Sequence, residues 1–453
     1  MTGNPVPAPT RATPPDCDVL VIGGGPGGAT AALVMARAGL SVRLLDRSTM
    51  PRFKIGESCM PRNLQLIREL GLEEELWRLP HVDKRGAEFA FGDGEQWQLY
   101  HFASGLLGGG RQAFNVERAL FDTMLLDAAR RAGVEVLERR VVRRILRLAD
   151  GDVAVEADGG ETHAARYLID ASGQATLVGK HLGTRKVLPG LRKVAYFAHF
   201  ENVERRPGVE AGYPTMVMCD EGWFWLIPFD ETRMSVGLVM DAEAARQVGV
   251  PPQRMLAWGI ERCPLMRKRM AAAKGPDTNL VTADFSYRCS PYAGPGYLLV
   301  GDAATFVDPI FATGVCLAMM GGAEAGRGVA AILQRGASPP RARRRYIRYV
   351  ERCSAPLFTM VRHYYDHSFR ELFINGPGPF QVHRAALSVL AGLVFPRPSL
   401  SLRWRIAVLG HFVRLNRRVP LAPRRRRFSL LAGMPIPAAA PAGPGGRQRE
   451  GSG

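Results

Sequence analysis

The sequence predicts an α/β protein in which a Rossmann-like unit is interleaved with a β-sheet unit and followed by a mostly helical, arginine-rich segment. Three observations carry this expectation. Apolar runs at 17–22 and 41–45 flank a glycine turn at 23–28 and a helical pattern at 29–38, which reads as strand, turn, helix and strand, a Rossmann-like βαβ unit. Residues 190–240 are strand-rich. From Arg341 to Arg427 there are nineteen arginines, no lysine and three acidic residues, so this segment holds nearly all of the net charge of +18.

The remaining elements follow in order. Residues 62–77 have a helical pattern, and 88–100 alternate around Gly92-Asp93-Gly94 as in a hairpin. A helix is expected at 117–132, a strand at 134–137, and paired strands at 144–157 and 161–169 around Gly151 and Gly159-Gly160. Residues 250–274 read as helical, 298–303 as a buried strand running into a loop, and 314–334 as a long helix of small residues. From 341 to 431 the pattern is mostly helical, interrupted at Asn375-Gly376-Pro377-Gly378-Pro379. The resulting division is a disordered leader at 1–16, a nucleotide-binding domain from 17–190 and 285–335, a substrate-side β-sheet region from 85–115 and 190–284, a helical basic region at 336–432 and a disordered tail at 433–453.

Composition excludes several classes. With 453 residues, 46% hydrophobic and 23% charged, the chain is neither fibrous nor disordered and has ample length for a large core. The longest nearly apolar run, 385–395, falls short of the ~20 residues of a membrane-spanning helix. The leader lacks an apolar stretch, so a cytoplasmic location is expected. Seven scattered cysteines without C-x-x-C spacing predict buried thiols rather than disulfides or a zinc site. His363 and His367 stand at i, i+4 without a third ligand, so no metal is expected. No helix-turn-helix, finger or RNA-recognition signature accompanies the basic segment, which leaves a plain solvated surface, an acidic protein partner or an anionic membrane surface as its readings.

The turn Gly23-x-Gly25-x-x-Gly28 suits a dinucleotide. Gly23 makes the turn, Gly25 lets backbone N–H groups approach a pyrophosphate, and Gly28 permits close packing at a helix N-terminus. Asp46, closing the second strand with Arg47 beside it, is placed to accept hydrogen bonds from a ribose. Tyr292 to Asp302 (YAGPGYLLVGD) resembles the second FAD fingerprint of the para-hydroxybenzoate hydroxylase-like flavoproteins, and Leu168-Ile169-Asp170-Ala171-Ser172-Gly173 resembles their intermediate strand motif. That resemblance implies FAD, with Asp302 near the pyrophosphate and ribityl chain and Arg118 directed at the flavin.

Trp223-Phe224-Trp225-Leu226-Ile227-Pro228 narrows the class. On a strand, Trp223, Trp225 and Ile227 share one face and form an apolar wall. Spacing alone is equally that of a well-packed core strand, but the hexapeptide resembles the W-x-W-x-I-P signature of FAD-dependent halogenases. There the indoles separate substrate from flavin. Phe53 to Pro61 (FKIGESCMP), with Glu57 and Ser58, resembles the family's G-E-S/A-x-x-P loop over the flavin, in which Glu57 is a candidate general base or flavin gate. Val82 to Phe89 (VDKRGAEF) resembles the segment with its catalytic lysine and matches it at Lys84. Phe306 to Gly314 (FVDPIFATG) resembles the F-x-x-P-x-x-S-x-G motif of the phenolic and pyrrole branch, including Pro309, and implies halide binding by the N–H groups of Thr313 and Gly314. Ala312 replaces the motif serine, and Phe311 stands where the tryptophan-halogenating branch has Glu, which disfavours free tryptophan.

The resemblance implies that FADH2, O2 and chloride or bromide yield a hypohalous acid, which Lys84 captures as a haloamine or holds by a hydrogen bond near an electron-rich phenol- or pyrrole-like ring. It also implies a separate NAD(P)H-dependent flavin reductase, since no second G-x-G-x-x-G is present, and a substrate that is free or tethered to an acyl carrier protein. The alternatives are an FAD-dependent monooxygenase or geranylgeranyl-reductase-like oxidoreductase, needing neither halide nor Lys84, and a non-catalytic flavoprotein scaffold.

Overall fold

The computed structural model describes residues 15–105, 112–283, 286–376 and 381–433. The expected disorder of the leader and tail therefore lies outside the described residues, apart from 15–16 and 433.

The βαβ unit forms as the apolar pattern requires. Strand Cys17–Ile22 pairs in parallel with Val42–Leu45 on one side and Thr162–Asp170 on the other, with helix Pro26–Arg37 as the crossover. Tyr297–Leu299 and Glu135–Leu137 extend the parallel set at its two sides. Ala293–Gly294, antiparallel to Tyr297–Leu299, and the hairpin Val142–Ala149 and Asp152–Ala157, joined through Thr162–Asp170, complete this eight-stranded sheet. Helix Gly314–Arg335 packs on Pro26–Arg37. Gly322 allows this approach, because a Cβ there would lie 2.3 Å from the Gly27 carbonyl oxygen. Gly314–Arg335 is also long and apolar enough to cross a membrane by length and composition, although charged residues interrupt its apolar run. It is mostly buried in the core.

A second sheet has seven strands in the order Leu280–Ala283, Lys193–Glu201, Arg233–Asp241, Gly222–Pro228, Thr215–Cys219, Gly86–Phe91, Trp97–His101. All its pairings are antiparallel except that of Thr215–Cys219 with Gly86–Phe91. Strand alternation splits its apolar side chains between two cores: Phe89, Met216, Trp223 and Trp225 face the nucleotide-binding unit, whereas Phe224, Leu226 and Leu238 face outward under helix Met255–Arg262.

Several expected helices are broken where the chain carries a breaker. Gly71, at φ 64°, splits 62–77 into Pro61–Glu69 and Glu73–Trp77. Prolines 251, 252 and 264 divide 250–274 into a 3-10 turn, Met255–Arg262 and Pro264–Arg269. The basic segment forms Pro339–Tyr364, His367–Ile374, Val382–Leu390 and Leu400–Arg418. Beyond Arg418 the expected helix is absent: Pro420 and Pro423 interrupt it, and the strap turns back to the seven-stranded sheet, where Glu221 accepts from the Leu430 N–H at 2.9 Å. All seven cysteines are free and buried, as expected.

Candidate active site

The glycine turn is shaped by contacts that exclude side chains. Gly23 has φ 101°, and a Cβ on it would lie 2.3 Å from the Ala171 carbonyl oxygen; one on Gly28 would lie 1.9 Å from the Gly23 carbonyl oxygen. Gly25 is open, with only Arg52 Nη2 at 3.5 Å from such an atom. Asp46 is buried and braces the turn, its Oδ2 accepting from Gly24 N at 2.6 Å and its Oδ1 from Ser48 N at 2.7 Å. Arg47 next to it is exposed. Asp302 follows the strand Tyr297–Leu299; burial pushes its carboxyl up to about 6, while the positive charges of Lys54 and Arg118 oppose the shift. An open backbone turn at a helix N-terminus, with Arg52 beside it, Asp46 just past the adjacent strand and Asp302 just past the next strand but one, suits a dinucleotide pyrophosphate and ribose.

Arg118 is spoken for within the protein. Its Nε and Nη2 form a fork on Asp122 at 2.8 and 3.0 Å, and Nη1 donates to the Ile55 carbonyl at 2.8 Å. In this conformation it holds the loop 53–61 from below, rather than presenting a free guanidinium.

That loop creates the surroundings of Lys84. Val116 N donates to Glu57 O and Cys59 N to Phe114 O, each at 2.9 Å, so the loop is zipped onto strand Ala113–Val116. The same strand pairs with His81–Lys84, placing Lys84 opposite Ala113. Lys84 Nζ then donates to Ser58 Oγ at 2.8 Å and to Cys59 O at 2.9 Å, and lies 5.3 Å from the centre of the Phe102 ring. It is 4% exposed, and among the described residues no carboxylate forms an ion pair with it. Burial alone pushes its amine down to about 8. Glu57, also buried, accepts from Gly56 N at 2.9 Å, and its Oε1 lies 2.8 Å from His199 Nε2 on the seven-stranded sheet.

An aromatic row joins the indole wall to this loop. Trp223 and Trp225 have ring centres 5.8 Å apart, Phe197 follows at 6.1 Å, and Phe53 stacks on Phe197 at 6.4 Å. Ile227 is only partly buried at the edge of the same core. Each indole N–H has an acceptor: Trp223 donates to Tyr365 Oη at 3.2 Å, Trp225 to Ser235 Oγ at 3.1 Å. Gly237 sits directly across from Trp225, and the indole lies where its side chain would be, 2.2 Å from an added Cβ.

The segment 306–314 ends in a tight turn. Pro309–Phe311 is a 3-10 turn capped by Asp308, whose Oδ1 accepts from Ile310 N at 3.0 Å. Ala312 adopts the left-handed conformation at φ 52°, an unusual state for a residue with a Cβ. Thr313 precedes helix Gly314–Arg335, and among the described residues neither its N–H nor that of Gly314 has a protein acceptor. Two adjacent amides at a helix N-terminus form an anion-sized donor pair.

The chain is similar to known proteins over most of its length. An FAD-binding domain family matches residues 16–354. A flavin-dependent halogenase from Armillaria mellea is 33% identical over 346 residues, covering 70% of this chain; the chain spans 65% of that relative's length. A 1H-pyrrole-2-carbonyl-(peptidyl-carrier protein) brominase from Pseudoalteromonas luteoviolacea is 33% identical over 316 residues, covering 68% of this chain and 76% of the relative. The chain belongs to the flavin-dependent halogenases. The solved structure of the flavin-dependent brominase Bmp2 matches the fold of this halogenase with a TM-score of 0.78 at 26% identity, covering 89% of this chain and 99% of that one. The cofactor expectation of FAD with a halide co-substrate agrees with this membership, and the glycine cradle fits it.

The structure also places residues at the site that the sequence alone did not mark. His199, on Glu57, belongs to no motif and carried no signal. Phe102, under Lys84, was equally silent. Asp308 lies inside the 306–314 segment, but only tertiary structure shows its carboxylate facing Tyr365. His363 and His367 form no metal cluster; among the described residues none exists.

Proposed function

We propose that this halogenase uses FADH2, O2 and chloride or bromide to halogenate an electron-rich phenol- or pyrrole-like ring, with Lys84 presenting the halogen. FAD held in reduced form by the glycine turn, Asp46 and Asp302 would supply two of the four electrons that reduce O2 and halide the other two, so that FADH2, O2, halide and one proton would give FAD, hypohalous acid and water. The ring then exchanges a hydrogen for the halogen and a second water leaves. The observation that carries the assignment is the isolated, desolvated Lys84 amine, held by Ser58 Oγ and Cys59 O with no carboxylate paired to it. Such an amine can donate a hydrogen bond to hypohalous acid or, when neutral, take the halogen.

The other residues have supporting roles in this proposal. Thr313 and Gly314 amides hold halide, Gly23, Gly25, Gly28, Asp46 and Asp302 hold the dinucleotide, and Ser58 and Glu57 fix the loop over the flavin. Pro309 shapes the halide turn, and the Trp223, Trp225 and Ile227 wall divides flavin from substrate. Arg118 contributes by holding the loop through Ile55 O, and Arg47 flanks the ribose from an exposed position. In this proposal residues 17–190 and 285–335 hold the dinucleotide, 85–115 and 190–284 form the substrate side, and 336–418 form the helical basic region.

FADH2 comes from a separate NAD(P)H-dependent reductase, and the aromatic substrate is carried on an acidic carrier protein. The pyrrole relative's name refers to a peptidyl-carrier substrate, and exposed Arg403, Arg414, Arg418, Arg426 and Arg427 provide a cationic surface of opposite sign. Arg424 is unsuitable as a probe, because it pairs with buried Glu371 at 2.9 Å. The test supplies a reductase, FAD, NADH, O2 and bromide to the full chain with free and carrier-loaded phenols and pyrroles, and reads product mass. Halogenated product that forms faster on the carrier, and slows when Arg426 and Arg427 become Glu, supports the proposal; oxygenated product with no halogen contradicts it.

A further inference from the structure

The seam between the indole wall and the halide turn contains a three-member hydrogen-bond chain. Trp223 Nε1 donates to Tyr365 Oη at 3.2 Å, and Tyr365 Oη lies 2.5 Å from Asp308 Oδ2. Directions are fixed by chemistry, since an indole N–H only donates and a carboxylate only accepts, so the phenol hydroxyl accepts from one and donates to the other. The second oxygen of Asp308 caps the Pro309–Phe311 turn through Ile310 N. Tyr365 comes from the joint between helices Pro339–Tyr364 and His367–Ile374, in the basic segment. Its ring is held from the sheet by Lys193, whose Nζ is 3.5 Å from the ring centre and 2.5 Å from Asp241 Oδ1.

We infer that Tyr365 and Asp308 are positioning residues that lock the halide turn to the indole wall, so that the C-terminal helices set halide affinity without touching the halide. The inference rests on the halogenase assignment above. The turn needs such a lock because Ala312 sits in the left-handed region that an L-residue occupies only when its surroundings hold it there. Asp308 supplies the restraint at the start of the turn, and Tyr365 fixes the orientation of that carboxylate. Without the tyrosine hydroxyl, the Asp308 oxygen and the Trp223 N–H both lose a buried partner, and the carboxylate is free to rotate off Ile310 N.

The test uses the full-length FAD-loaded protein and two halide readouts. One is titration of bound oxidised FAD with bromide, followed by visible absorbance and tryptophan emission; the other is the split between KM for bromide and kcat in turnover. Tyr365→Phe is expected to weaken bromide roughly ten-fold in both affinity and KM, about the loss of one charge-assisted hydrogen bond, with a smaller change in kcat. Asp308→Ala should weaken it at least as much. Asp308→Asn should recover only part of the loss, because its Oδ1 can still cap Ile310 N while its amide NH2 gives the Tyr365 hydroxyl no acceptor. Unchanged bromide affinity in Tyr365→Phe, with FAD occupancy intact, overturns the inference and leaves the halogenase assignment standing. If Tyr365→Phe does not fold, equal bromide affinity in Asp308→Asn and Asp308→Ala overturns it. A parent protein whose flavin and turnover ignore bromide overturns both together.

Discussion

Lys84→Met is expected to stabilise the protein at neutral pH while abolishing halogenation, and the pH dependence of that gain is calculable. Burial lowers the Lys84 amine from 10.5 to about 8. At about 1.4 kcal/mol per unit, the buried charge costs the folded state about 3 kcal/mol whenever both states are protonated, that is below pH 8. Between pH 8 and 10.5 the unfolded chain still holds a proton that the folded protein has released, so parent stability rises with pH and the cost disappears. Methionine has no charge to desolvate, but it leaves Ser58 Oγ and Cys59 O without their donor, a loss of about 1 kcal/mol each. The variant should therefore exceed the parent by about 1 kcal/mol at pH 7 and fall below it by about the same amount near pH 10. Urea unfolding of both proteins with saturating FAD, at pH values from 7 to 10, reads this crossing directly. A difference that does not change with pH would refute a desolvated lysine at this position.

Other outcomes follow from individual contacts. If neutral Lys84 takes the halogen, halogenation rises with pH through about 8; if the ammonium holds hypohalous acid, it falls through the same value, and a pH-rate profile at saturating halide separates them. Gly237→Val displaces the Trp225 indole, costs about 1–3 kcal/mol from overpacking, and weakens substrate discrimination, checked by melting and by product ratios across a phenol panel. Ala312→Gly relieves the left-handed conformation and raises stability by about 1 kcal/mol at pH 8, measured by urea unfolding.

Local signals made the nucleotide cradle legible in sequence because one turn satisfies all its demands within six residues: Gly23 and Gly28 have no room for a Cβ, and apolar strands flank them. The indole wall was legible through strand alternation, which separated Trp223 and Trp225 from Phe224 and Leu226 as the two cores show. Lys84 was visible only through its resemblance to a family segment, since its burial depends on a loop from 53–61 folding over it. The pairing of Arg118 with Asp122, one helical turn on, went unread, although the i, i+4 spacing could have signalled it. The Trp223–Tyr365–Asp308 chain joins three segments far apart in sequence, and no local pattern encodes it. The strap after Arg418 was mistaken for helix because the arginine run obscured two prolines.

The most direct test of the halogenase mechanism is a paired measurement on the parent and Lys84→Ala, each loaded with FADH2 and mixed with O2, bromide and an electron-rich phenol. FADH2 consumption and brominated product are read from the same sample. Equal FADH2 oxidation in the two proteins, with bromophenol formed only by the parent, is the predicted result. Bromination that persists in Lys84→Ala, at the parent's yield per FADH2, would contradict it.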